Sequence, residues 1–329
     1  MLYIRPIVYV IILSFVLCAC GAGAGTPGEA AAGPASGPEL GESTQEAEEA
    51  ESGENEAEEA KRGENESDVA AEGDEMGSVS EIDFFRDDKK IYGKMYTPAG
   101  KGPFTTVILA HGYAADLSMM EGYANSLAEH GVAAVAFDFI GGGNNVKSDG
   151  TTSEMSVLTE ADDMSTVLDR VLEMDSVDKD NVFLMGGSQG GFVATYVAAK
   201  RPTDVKGLIA LYPAYVLQDD AKQRTDNGAK MTESYSFMGL DIGRKYDEDA
   251  MSFDIYDVMK DYDGKALIVH GTEDNVAPYR YSERAVKVLP DAKLVTIEGA
   301  GHVFFGDADK YCTQVVIDFV RSVSGMPDK

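Results

Sequence analysis

Basic residues are scarce in this chain: 28 Lys and Arg stand against 57 Asp and Glu, a net charge of −29. Affinity for nucleic acid comes from clustered cations along a phosphate backbone, and no such cluster is present, so that class of partner is excluded. Cysteine is nearly absent as well. Cys18 and Cys20 close an N-terminal apolar segment and Cys312 stands alone, so no disulfide can staple the folded part once that segment is processed. No Cys or His grouping has metal-ligand spacing, which argues against a metal mechanism. Gly141-Gly142-Gly143-Asn144-Asn145 lacks both Gly-x-Gly-x-x-Gly and a following Lys-Ser/Thr, and reads as a turn that holds no cofactor phosphate.

Long hydrophobic runs are missing too. The longest, residues 7–17, falls short of the about 20 residues that a bilayer-spanning helix needs. With Arg5 before it and the small Ala19 after it, this run has the layout of a signal peptide. Leu17-Cys18-Ala19-Cys20-Gly21 resembles the lipobox of bacterial lipoproteins. That resemblance implies cleavage before Cys20, diacylation of Cys20, and a location outside the cytoplasm on the bacterial cell membrane; an ordinary cleaved secretion signal is the alternative. Two acyl chains anchor far better than one, at about 0.8 kcal/mol per buried methylene.

Residues 21–80 carry 17 Asp and Glu against Lys61 and Arg62, with almost no aliphatic or aromatic side chains. Such a stretch cannot bury enough apolar surface to offset the entropy of ordering, so it is expected to be a disordered acidic linker, extended by self-repulsion. The folded part is then residues 81–325. That length suits one domain, burying roughly three quarters of its unfolded surface.

Within it the hydrophobic pattern changes character once. Residues 82–85 and 90–97 alternate apolar and polar around Asp87-Asp88, which predicts an antiparallel hairpin. Residues 105–110, 132–139, 181–185, 205–211, 266–269 and 293–297 are short apolar runs of the kind buried on both faces of a sheet. Amphipathic stretches of helical length separate them, at 119–130, 155–173, 190–200, 281–288 and 309–323. Alternation of this kind predicts an α/β fold: a mostly parallel central sheet with helices on both faces and the reactive groups at the carboxyl ends of its strands. Residues 212–262 interrupt the rhythm and are too long for a plain loop, so a small lid or cap insertion is expected there.

Gly186-Gly187-Ser188-Gln189-Gly190 follows a buried run and opens a helix, the context of a G-x-S-x-G nucleophile elbow. Gly186 and Gly190 have a physical reason, since side chains there would strike neighbouring backbone. A serine hydroxyl needs a base. Of four histidines, His130 ends a helix and reads as a surface or capping residue, and His111 reads as a brace for its loop. His302, in Gly299-Ala300-Gly301-His302 after the last strand, is the best base. Asp274 is favoured to orient it, with Asp219, Asp220 and Glu273 as competing acids, and the chain order is then Ser, Asp, His. An oxyanion needs donors already aimed at it. The backbone amides of Gln189 and of Tyr113 are the candidates.

His111-Gly112, Asp138-Phe139 with its glycine-rich turn, Gly186 to Gly191, His270-Gly271-Thr272-Glu273-Asp274 and Gly301-His302 together resemble the α/β-hydrolase superfamily. Ser188-Gln189-Gly190-Gly191, Lys147-Ser148-Asp149-Gly150 and Met155-Ser156-Val157-Leu158 are similar to bacterial cinnamoyl and feruloyl esterases, and similar motifs occur in serine aminopeptidase-like and prolyl-oligopeptidase-like relatives. Gly187 departs from the esterase pattern, where a histidine is usual, and Gly142-Gly143 departs from a Gly-His. The resemblance implies a cofactor-free serine hydrolase acting on a small ester, or on a short peptide or amide as the alternative. A surface-exposed binding protein that keeps the fold without the activity is the reading from another class.

Overall fold

The computed structural model describes residues 77–327. The export segment, Cys20 and all but the last residues of the acidic stretch lie outside the described residues. Strand β1 (Ser78–Arg86) already pairs at Ser78, opposite Thr97, so sheet pairing begins inside the stretch assigned to the linker. It turns at Asp87, whose φ of 55° a short polar side chain tolerates, into β2 (Lys89–Thr97). Then follow β3 (Phe104–Ala110), α1 (Glu121–Glu129), β4 (Ala133–Phe137), α2 (Val157–Leu172), β5 (Val177–Gly187), α3 (Gln189–Lys200) and β6 (Gly207–Leu211).

Residues between β6 and the next core strand form α4 (Leu217–Arg224), a separate two-stranded hairpin of β7 (Ser234–Phe237) and β8 (Leu240–Gly243), α5 (Arg244–Met251) and α6 (Ile255–Val258). The chain re-enters the sheet as β9 (Lys265–Gly271), passes through α7 (Arg280–Ala285) and β10 (Ala292–Ile297), and ends in α8 (Asp307–Ser324). The eight-stranded sheet has the order β1-β2-β4-β3-β5-β6-β9-β10, antiparallel where β2 meets β1 and β4, parallel elsewhere. The mostly parallel sheet expected from the alternation is therefore present.

Side-chain alternation along the central strands divides the core into two layers. Ile108 and Ala110 of β3 pack on one face with Met164 and Val167 of α2 and Val193 and Val197 of α3. Val107 and Leu109 face the other way, with Leu127 of α1 and Val316 and Val320 of α8. Each fully buried side chain of this size is worth about 1.5–3 kcal/mol over its exposed state. Cys312, the free thiol among the described residues, is buried in the second layer beside Tyr123.

Local signals fix the helix ends. Ser156 caps α2 by accepting from the Thr159 amide at 3.2 Å and also donates to Asp249 of α5 at 2.5 Å, joining the sheet-covering helix to the inserted segment. His130 ends α1, its Nδ1 on the Ser126 carbonyl at 2.7 Å, in keeping with a capping role. Gly325 ends α8 in the left-handed region, at φ 73°.

Candidate active site

Strand β5 runs into helix α3 through a single residue, Ser188, held at φ 54° and ψ −118°. Its backbone is clamped on both sides: its amide donates to Leu211 O at 2.9 Å, and its carbonyl accepts from Gly191, Phe192 and Ala214. Glycine is required around so sharp a turn. A Cβ on Gly186 would lie 2.2 Å from the Gly190 backbone, and one on Gly190 would lie 2.4 Å from His111 O. Strand and helix cross too closely for side chains there.

His302 reaches this serine from the loop after β10. Ser188 Oγ donates to His302 Nε2 at 2.9 Å, and His302 Nδ1 donates to Asp274 Oδ2 at 2.7 Å. The loop is strained at the next residue, since Val303 is β-branched yet sits at φ 66°. Asp274 is buried and its carboxylate is saturated. Oδ1 accepts from the Val276 and Ala277 amides at 2.8 Å each, and Oδ2 accepts from His270 Nε2 at 3.0 Å as well as from His302. Burial opposes ionisation, but the hydrogen bonds from His270 and His302 and the nearby amide outweigh it and hold the carboxyl well below the usual carboxylate range. The competing acids lie elsewhere: Asp219 accepts from Tyr281, Asp220 sits in α4, and Glu273 is exposed.

The opposite wall is the loop after β3. A Cβ on Gly112 would lie 3.2 Å from Ser188 Cβ, so the loop passes directly over the serine. His111 is fully buried; its Nδ1 donates to Gly112 O at 2.8 Å and its Nε2 accepts from the Phe139 amide at 3.1 Å. Burial lowers its pKa, so it stays neutral and braces the loop. Beyond it, the amides of Tyr113 and Gln189 donate to no protein acceptor among the described residues. Two free amides beside a serine hydroxyl suit a developing oxyanion.

The departures from the esterase pattern have steric causes. A Cβ on Gly187 would meet Met119 Cε at 3.0 Å and Tyr212 Oη at 3.1 Å; the Tyr212 ring, edge-on to His302 with centroids 5.1 Å apart, occupies the space of a larger residue. A Cβ on Gly143 would meet Ala115 O at 2.7 Å, and one on Gly142 would meet His111 Cε1 at 3.0 Å. The glycine-rich segment is thus a turn packed against the Tyr113 loop. Asp138 secures it by accepting from the Leu117 and Lys147 amides, both at 2.7 Å. Among the described residues no group of His, Cys, Asp or Glu could hold a metal ion.

Sequence reasoning missed His270 as a partner of Asp274, and Glu160 and Tyr246 as partners of the Gln189 side chain. The i, i+4 spacing of His270 and Asp274 is the only trace of the first. Glu160 and Tyr246 leave none, because the first meets Gln189 only through the packing of α2 against α3 and the second only through the fold of the inserted segment.

This architecture and array define a hydrolase of the α/β type, and comparison with known proteins agrees. Residues 101–255 match a family described as serine aminopeptidase, S33, and residues 252–326 one described as TAP-like protein. The chain is 26% identical over 258 residues to the uncharacterized protein YfhR of Escherichia coli O157:H7, covering 74% of this chain and 81% of that one. It is 23% identical to the AB hydrolase superfamily protein YisY of Bacillus subtilis, covering 66% and 91%. Among solved structures it resembles Est1E of Butyrivibrio proteoclasticus with bound ferulic acid, at a TM-score of 0.68 and 24% identity over 74% of this chain and 99% of that one. The chain is a member of the α/β-hydrolase superfamily.

Proposed function

We propose that this protein is a serine hydrolase that cleaves carboxylic esters through an acyl-enzyme. The observation that carries the reading is the unbroken relay from Ser188 Oγ through His302 to Asp274, at 2.9 and 2.7 Å, beside two unengaged backbone amides. Ser188 Oγ attacks the ester carbonyl carbon as His302 Nε2 takes its proton. The amides of Tyr113 and Gln189 receive the negative charge that builds on the carbonyl oxygen. Asp274 holds His302 in the tautomer that leaves Nε2 free and stabilises the imidazolium. His302 then protonates the departing alcohol, and water, deprotonated by the same nitrogen, releases the acid. No cofactor enters these steps.

A serine peptidase or amidase is the second reading, favoured by the S33 aminopeptidase description matched over residues 101–255. Residues 212–262 serve as the cap that shapes the acyl and leaving-group pockets. The N-terminal pattern supports export and anchoring of the bacterial protein at the membrane by acylated Cys20, with the acidic stretch as a tether.

The test is hydrolysis of a p-nitrophenyl ester series and an aminoacyl anilide series by the chain from residue 77, beside its Ser188→Ala form. Ester turnover lost in the variant supports the esterase. Anilide preference moves the reading to a peptidase. Failure with both series, and no uptake of a fluorophosphonate at Ser188, supports a binding protein instead.

A further inference from the structure

The backbone amide of Gln189, the residue after Ser188, donates to no protein acceptor among the described residues, while its side chain is buried among polar partners. Gln189 Nε2 lies 2.9 and 2.8 Å from the two carboxylate oxygens of Glu160, and Gln189 Oε1 accepts from the Tyr246 hydroxyl at 2.7 Å. All three residues are 1% exposed. They come from three elements, Glu160 from α2, Gln189 from the first position of α3, and Tyr246 from α5 in the inserted segment.

Three buried polar side chains from separate elements are costly to assemble and contribute little to stability that apolar packing would not. What they specify is orientation. With both ends of its carboxamide engaged, Gln189 cannot rotate, and the first turn of α3 is fixed against α2 and α5. Glu160 forms no ion pair among the described residues, and burial pushes its carboxyl well above the ordinary range against the opposing Gln189 hydrogen bond, with Asp163 adding to the rise.

The other amide is tied to the same segment. Tyr113 donates its hydroxyl to Phe237 O at 2.6 Å, and its ring stands edge-on to Phe237 and Tyr246, with centroids 5.5 and 5.7 Å apart. Arg224 stacks over Phe237 at 4.4 Å and pairs with Asp247, which also accepts from Tyr235 at 2.5 Å, binding α4, the β7–β8 hairpin and α5 together. Each residue that supplies an oxyanion amide is therefore held from behind by residues of 234–251.

We infer that Glu160 and Tyr246 are positioning residues for the oxyanion hole, and that residues 234–251 are a fixed wall of that hole and not a detachable cover. The inference rests on the serine-hydrolase reading and goes beyond it, because it gives the inserted segment a part in stabilising the transition state.

The test separates transition-state from ground-state effects with a trifluoromethyl ketone. Ser188 Oγ adds to the ketone carbon, its proton passes to His302, and a charged oxygen is left facing the two amides. Tyr246→Phe removes one hydroxyl, and Glu160→Leu removes the acceptor for Gln189, whereas Glu160→Gln keeps one. Complete loss of an oxyanion donor costs about 10²–10³ in kcat, so a loosened one should cost at least about tenfold. The expected result is that Tyr246→Phe and Glu160→Leu lower kcat and ketone affinity by the same factor, with KM within about twofold of wild type, and that Glu160→Gln restores most of both.

Unchanged ketone affinity in folded Tyr246→Phe overturns the inference, as does a loss confined to KM. Tyr246→Phe decides the matter alone if Glu160→Leu does not fold. A wild-type chain that neither takes up fluorophosphonate at Ser188 nor turns over any ester overturns the hydrolase reading and this inference with it; a wild type that does both, with variants that match it, overturns the inference only.

Discussion

His270 Nε2 lies 3.0 Å from Asp274 Oδ2, the oxygen that also receives His302 Nδ1. The acid is thus held between two imidazoles, one facing the serine and one fully buried with its Nδ1 on Ser282 Oγ at 2.7 Å. His270→Phe keeps a ring but removes the inner donor. A hydrogen bond to a charged group is worth about 1.5–3 kcal/mol, so kcat/KM for a p-nitrophenyl ester should fall about 10- to 100-fold while fluorophosphonate still labels Ser188. Wild-type turnover in the variant would show that His302 and the two amides hold Asp274 unaided.

Ser188, the proposed nucleophile, is strained. Its φ of 54° disfavours any side chain, so Ser188→Ala removes the nucleophile without relieving the backbone, and Ser188→Gly does both. Both should lose hydrolysis by up to about 10⁶. Ser188→Gly should be the more stable of the two by about 1 kcal/mol. Thermal melts of the pair read this directly, and equal Tm values would mean that the elbow stores no strain.

Gly187 and Tyr212 exclude one another's bulk. Gly187→His would drive an imidazole into Met119 and the Tyr212 hydroxyl and should destabilise the fold by about 1–3 kcal/mol. Tyr212→Ala opens that space. In a double-mutant cycle the two changes together should cost less than the sum of their separate effects, and strict additivity would show that the clash relaxes elsewhere.

Asp163 gives the molecule a pH dependence of known sign. Burial raises its carboxyl to about 7, although Arg86 Nε lies 2.9 Å from Oδ1 and the Ile140 amide donates to Oδ2. Oδ1 has charge beside it but no aligned hydrogen bond. A carboxyl raised in the folded state takes up a proton on folding, so stability falls as pH rises from about 4, where the unfolded acid ionises, to about 7, and is level beyond. A tenfold difference in proton affinity between the folded and unfolded chain is worth about 1.4 kcal/mol, making the whole change a few kcal/mol. Asp163→Asn should make that slope shallower in urea denaturation between pH 4 and 7, with buried Glu160, also raised, supplying the remainder; an unchanged slope would assign it wholly to another group.

Much of this was legible from the chain. Alternation located β1 and β2, apolar runs located the other six strands of the large sheet, and glycines marked the elbow, since side chains at Gly186 and Gly190 would strike backbone where β5 and α3 cross. Polar strand ends were not legible: β5 begins at Val177 and continues through Asp178, Lys179 and Asp180, which look like a loop until Phe104 is seen opposite Val177. The elements within residues 212–262 were equally hidden, because α4 is mostly polar and the β7–β8 strands have only four residues each. Ser188, His302 and Asp274 announce themselves by neighbouring glycines and chain order. Glu160 and Tyr246, 29 and 57 residues from Gln189, carry no local mark, since only tertiary folding brings them together.

Cys312 has a consequence for how the molecule can be watched. Burial pushes its thiol up to about 12, so at neutral pH almost no thiolate exists in the folded state and alkylating or oxidising reagents find nothing to attack. Modification has to wait for α8 to leave the sheet. In the chain from residue 77, where Cys312 is the sole thiol, the rate at which a thiol dye is consumed therefore becomes a clock for rare detachment of α8.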